Sequence, residues 1–238
     1  MAAILTAASF GAGPASQPAT APADSALWAK LLDIDSRAGR VRSLAATFQQ
    51  QKFTALLRKP LVSDGRVRIR GAVMRWDTQR PEPSVLLIDE HEARVYYPAQ
   101  KTMEIYPLDK RLGELAASPL PRLEVLRSRF SFAQFPVSEI DRSADGKRFI
   151  ALLLMPMNPS LRQYVSQVRV LLDVPSAYVR EAEVTDADGD RSLLSFSDVQ
   201  LNVDVGNLDL TVPPGTKVTH PLEGLEGAPG PQTQGKSK

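Results

Sequence analysis

Apolar positions along this chain recur with two different periods. Leu27, Trp28, Leu31, Leu32 and Ile34 return at helical spacing. They predict a helix over Ser25 to Arg42, with Asp24 or Ser25 as cap and Gly39 as a stop. Val41 to Phe53 is ambiguous, although Thr47, Phe48 and Phe53 suit a strand. From Leu61 the period falls to two. Arg66-Val67-Arg68-Ile69-Arg70 alternates strictly, so Val67 and Ile69 share one face and the arginines the other. Met74 and Trp76 follow Gly71 on the opposite parity, and a bulge at Gly71 would restore the phase.

Short β-type runs then repeat at Ser84 to Ile88, Arg94 to Tyr97 and Thr102 to Tyr106, punctuated by proline and acidic residues. Leu108 to Arg129 breaks the rhythm. Its leucines predict one or two short helices split by Pro119 and Pro121. Strands resume at Phe130 to Ile140, Arg148 to Leu154, Gln167 to Val174, Val179 to Thr185 and Ser192 to Val199. Asp145-Gly146 and Asp188-Gly189 read as hairpin turns, and Asn158 to Val165 as a short helix or loop. Eight to eleven antiparallel strands with few helices predict one mainly β domain, spanning residues 24–220.

The ends differ from this body. Residues 1–23 hold a short apolar run, then small residues and proline, ending in Ala21-Pro22-Ala23. They read as an export signal lacking its basic start, or as an Ala/Pro tail. Residues 221–238 read as a flexible tail.

Composition narrows the chemistry. The chain has 238 residues, 43% hydrophobic and 24% charged, with a net charge of +2. That balance gives no support to nucleic-acid binding. Cysteine is absent, which excludes disulfides, thiolate metal sites and cysteine nucleophiles. The two histidines are poorly placed for catalysis: His91 lies in an acidic turn and His220 borders the tail. No phosphate-binding or nucleophile-elbow motif occurs. Asp186-Ala187-Asp188-Gly189-Asp190 begins like a calcium loop but lacks its later ligands. No metal, no cofactor and no enzymatic activity are expected. Arg66, Arg68 and Arg70 allow two readings. They form a solvated face, or one of them bridges backbone carbonyls of a helix covering the sheet. Met74, Trp76, Phe130, Phe132, Phe135, Met155 and Met157 either fill a core or line an acyl pocket.

A series of short motifs bears on that choice. They are Ala46-Thr47-Phe48-Gln49-Gln50, a small turn at Ser63 and Gly65, and Arg70 ahead of Trp76. Pro81-Glu82-Pro83-Ser84, Tyr96-Tyr97-Pro98, Asp186-Ala187-Asp188-Gly189 and Pro213-Pro214-Gly215 follow in order. In this order they resemble the LolA family of periplasmic lipoprotein carriers, over about Trp28 to Val218. Gly71 and Glu90 depart from the family pattern and mark a divergent member.

The resemblance implies an unclosed, highly curved antiparallel β-barrel covered by a helical lid. It implies a soluble periplasmic monomer that carries lipoprotein acyl chains, or a related lipid, in a hydrophobic cavity. The implied partners are an inner-membrane ABC lipoprotein-releasing transporter and an outer-membrane receptor lipoprotein. Arg70 matches the family's lid-locking arginine. The expected cavity lining is Phe48, Val67, Ile69, Met74, Trp76, Leu86, Ile88, Tyr96, Ile105, Phe130, Phe132, Leu152, Leu154, Val170 and Phe196. The alternative is a non-catalytic envelope interaction module with a filled core.

Overall fold

The computed structural model describes residues 25–107 and 123–221. The expected signal-like segment, the C-terminal tail and most of the Leu108 to Arg129 helical stretch lie outside these residues.

Helix α1 (Ser25–Ala38) ends one residue before Gly39. It buries Leu27, Leu31 and Ile34 of the expected stripe, with Ala38, while Trp28 is half-buried and Leu32 faces outward. The strands β1 (Ser43–Phe53), β2 (Leu61–Arg70), β3 (Val73–Arg80), β4 (Ser84–Ile88), β5 (Glu92–Tyr97) and β6 (Thr102–Pro107) form a meander. Helix α2 (Leu123–Arg129) leads into β7 (Phe130–Phe135), then β8 (Phe149–Pro156), the short α3 (Pro159–Arg162), β9 (Val165–Asp173), β10 (Tyr178–Asp186) and β11 (Arg191–Leu201). A last strand, β12 (Lys217–Thr219), closes the order. All twelve belong to one sheet, in the order β12-β6-β5-β4-β3-β2-β1-β11-β10-β9-β8-β7. The sheet is curved and unclosed, with β12 and β7 at its edges. One pairing departs from the antiparallel expectation: β12 runs parallel to β6.

Four local expectations need correction. Gly71 is not a bulge. It opens a two-residue turn between paired Arg70 and Val73, at φ 58°, a conformation glycine adopts without Cβ strain. The turn itself restores the phase, because Val67 then pairs with Trp76 and Ile69 with Met74. Gly65 is not in a turn either. It sits inside β2, where a Cβ would lie 2.0 Å from the Asp77 carbonyl oxygen. The run from Phe130 stops at Phe135, and Pro136 starts a short 3-10 turn at Val137–Glu139. Asp145-Gly146 lies in the long β7–β8 connection, not in a tight hairpin.

Strand pairing sorts the side chains onto two faces. One face carries α1 and α2. Along it, Leu152 pairs with Val170, Val170 with Ala182 and Ala182 with Leu194. The same face continues through Phe196 opposite Phe48, and Ala46 opposite Val67. The other face is covered twice. The β7–β8 connection lays Val137, Ile140 and Ala144 over Phe149, Ala151 and Leu171. At the other half, the segment after β11 crosses β2 and β3 as an extended strap, burying Val205 and Leu208.

Candidate functional site: an apolar cavity under two helices

A cavity of about 210 Å³ lies between the helices and the sheet. Leu31 and Ile34 of α1 and Leu126 of α2 form its roof. Phe130, Phe132, Leu152, Leu154, Val168, Val170, Leu172, Val179 and Ala182, on β7 to β10, form its floor. Every lining side chain is apolar. The helical period of α1 and the two-residue period of β8 and β9 aim these residues at the same space. The space persists because the floor is mostly aliphatic, with valines and one alanine facing a helix.

Two side-chain contacts anchor the helices at opposite ends of α1. The Arg37 guanidinium, in the last turn of α1, donates to the carbonyls of Val174 at 2.6 Å and Pro175 at 2.9 Å. It also bonds Asp33 one turn back, at 2.8 Å. At the other end, Arg127 of α2 stacks over the Trp28 ring at 4.9 Å, and Trp28 meets Phe132 at 5.7 Å. A guanidinium bridge between the helix and the β9–β10 turn therefore exists, with the arginine on the helix.

Arg70 points elsewhere. Its guanidinium donates to the Gly206 carbonyl at 2.6 Å and approaches Asp204 at 3.4 Å. Arg68 donates to the carbonyls of Val205 and Asn207, and Arg75 to that of Asp209 at 2.5 Å. Three arginines of one sheet face thus grip the backbone of the strap, a helix-free segment. The bridging of backbone carbonyls was one of the two open readings, and its partner is the strap. Asp77 sits among them, bonded to Arg68 and Arg75 at 2.9 Å. Burial pushes the Asp77 carboxyl up, but the bonds and charges of Arg75 and Arg68 outweigh this and hold it below its ordinary value.

Five of the expected lining residues meet at the cavity: Phe130, Phe132, Leu152, Leu154 and Val170. Phe48, Val67, Ile69, Met74, Trp76, Ile88 and Phe196 lie on the same face but in a separate cluster. There Trp76 packs edge-on to Phe48 at 4.8 Å and tilts to Phe196 at 5.9 Å, so the rings pack on one another along the sheet. Leu86 pairs with Trp76 and shares that face. Tyr96 and Ile105 do not: their pairing with Val85 and Arg94 places them on the strap side. The lining residues that motif reasoning missed are Leu31, Ile34, Leu126, Val168, Leu172, Val179 and Ala182. Their signal was the helical stripe and the strand parity, both present in the sequence.

No histidine approaches the cavity. His91 is exposed in its turn, its backbone N–H donating to Asp89 at 2.9 Å. Among the described residues, no group of three or more His, Asp or Glu is placed to hold a metal ion.

The family model for the outer membrane lipoprotein carrier protein LolA matches residues 39–207. The chain belongs to the LolA family. Curated protein sequences give no significant match. Solved structures resemble it in fold. An uncharacterized conserved protein from Thermus thermophilus superposes with a TM-score of 0.51 at 12% identity, covering 82% of this chain and 99% of that one. MucB superposes with a TM-score of 0.50 at 14% identity, covering 79% of this chain and 64% of that one. The Mycobacterium tuberculosis lipoprotein LppX reaches 0.48 at 14% identity, over 79% and 100% of the two chains. Within the LolA frame this member is divergent, and its match region contains the cavity floor, α2 and the strap-gripping arginines, while α1 lies before it.

Proposed function

We propose that this LolA-family protein is a non-enzymatic periplasmic carrier that holds acyl chains of a lipoprotein or related lipid between its helices and its sheet. The carrying observation is a cavity whose twelve lining side chains are all apolar. Such a lining offers hydrocarbon a match and offers a reacting group neither proton donor nor acceptor. Each methylene moved from water into it gains about 0.8 kcal/mol.

Its size adds a condition. A dry cavity of about 150 Å³ accommodates one benzene, so about 210 Å³ holds only part of an acyl chain. A full chain requires α1 and α2 to move off the sheet. That movement must break the Arg37 bonds and expose the buried α1 stripe, a cost that acyl burial in the opened space would offset. Delivery from an inner-membrane ABC transporter to an outer-membrane receptor lipoprotein is the corresponding cellular route. Among the described residues no helix is long and apolar enough to cross a membrane, consistent with a carrier that moves between membranes.

The test is native mass spectrometry of protein isolated from the envelope fraction, followed by solvent extraction. Acylated peptide or lipid in near-molar amount supports the carrier. A clean unliganded mass, with no uptake of added fluorescent fatty acid, favours an interaction module instead.

A further inference from the structure

Exposed apolar side chains are concentrated at one end of this sheet. Pairing of Phe53 with Arg191 and of Asp186 with Val165 brings together the β1–β2, β10–β11 and β8–β9 connections. Nine large apolar side chains are exposed among the described residues, and seven of them lie at this end. Leu56 is the extreme case, 93% exposed, with Leu57, Leu61 and Val62 around it. Met157 and Tyr164 stand on the β8–β9 connection, and Met155 near the end of β8. Such clustering on a protein surface marks an interaction site.

The charges beside these residues select the partner. Lys52, Arg58 and Lys59 flank the leucines, all three are exposed, and no acidic residue occurs from position 52 to 62. Positions 155 to 164 carry one cation, Arg162, and again no acid. The β10–β11 turn between the two brings three aspartates, two of which are engaged. Asp190 accepts the Ala55 N–H, and Asp186 accepts the N–H groups of Asp188 and Asp190. The first of these bonds ties the leucine-bearing loop to its neighbour. On the β1–β2 loop, leucines projecting beside exposed Lys52, Arg58 and Lys59 match the interface of an anionic bilayer, where apolar tips enter the acyl boundary and cations meet phosphate headgroups.

We propose that the β1–β2 loop, with Leu56 and Leu57 at its tip and Arg58 and Lys59 beside them, docks this protein on anionic membrane surfaces. The docking does not depend on what the cavity carries. It places the ends of β8, β9 and β10, which supply the cavity floor, toward the bilayer.

Co-sedimentation of the full chain with vesicles tests it. Vesicles of phosphatidylethanolamine and phosphatidylglycerol should bind the protein, and pure phosphatidylcholine vesicles should bind it much less. The double change Leu56→Ser with Leu57→Ser should weaken binding about tenfold or more, given the apolar area lost. Arg58→Gln with Lys59→Gln should weaken it by about fivefold per cation and flatten its salt dependence. Asp188→Asn should strengthen it. Thermal melts matching the parent would show that these surface variants stay folded. Failure of the parent to sediment with either vesicle overturns the proposal, and points to a protein partner for the same tip. Undiminished binding by both double variants overturns it as well. Fatty-acid uptake, measured without vesicles, reads the carrier separately.

Discussion

Two halves of one sheet face solve the same packing problem differently. Under α1 and α2, the β7–β10 half meets its cover with valines, leucines, Ala182 and the rings of Phe130 and Phe132, and a cavity remains. Across β11 and β1 to β3, the rings of Phe48, Trp76 and Phe196 pack on one another over a fully buried Val67. Both halves carry rings; what differs is whether the rings pack on one another, as they do around Trp76, or face α1 and α2 across a gap. Hydrophobicity alone therefore does not locate a ligand site in such a fold. The location depends on where space is left.

The largest expected effect breaks the ring-packed half. Trp76→Ala should cost about 3–5 kcal/mol of stability, because the rings around it cannot collapse fully into the gap. Chemical denaturation measures this. Acyl binding should be kept at temperatures where the variant remains folded.

Next comes the reverse operation on the cavity half. Ala182→Leu adds methyl groups where space exists, so stability should hold or rise by up to about 2 kcal/mol. Fatty-acid affinity should fall tenfold or more, read by fluorescent displacement. Unchanged affinity would mean that the chain binds elsewhere.

The helix anchor gives a smaller shift. Arg37→Gln removes the bonds to Val174 and Pro175, which should cost about 1–3 kcal/mol. Amide exchange should quicken in α1 and not in β1 to β3. Uniform quickening would contradict a local latch.

The smallest effect is electrostatic. Asp77 titrates lower in the folded protein than its ordinary value of 3.8, since Arg75 and Arg68 outweigh the effect of burial. Its stabilisation is complete above the unfolded value and is lost as pH falls through the folded one. Asp77→Asn should thus destabilise at neutral pH and flatten the acid limb below about pH 4. Glu181 opposes this slope, raised by burial and by Asp141, so the difference between parent and variant isolates Asp77.

Much of this arrangement was legible in the sequence. Strict alternation at Arg66 to Arg70 gave β2 and its faces, and the α1 stripe gave the helix that roofs the cavity. The ordered motifs led to the right family. The division of the lining was not legible, because parity tells which face a residue occupies but not whether its neighbours fill the space. Tyr96 and Ile105 show the limit of parity itself: facing is fixed only relative to Trp76, through two intervening turns for Tyr96 and three for Ile105. Arg70 shows another. Its side of the strand was readable, but its partner comes from Gly206, 136 residues away, in a segment without periodicity. Arg37 carried the helix-bridging chemistry unnoticed, because one cation near a helix C-terminus is ordinary in sequence.

The most direct test of the central claim is photocrosslinking with a diazirine-bearing fatty acid, mapped by peptide mass spectrometry. The account predicts adducts on Leu31, Ile34 and Leu126 and on the facing residues of β8 to β10. Adducts concentrated on Phe48, Trp76 and Phe196, or none above an unreactive control, would contradict it.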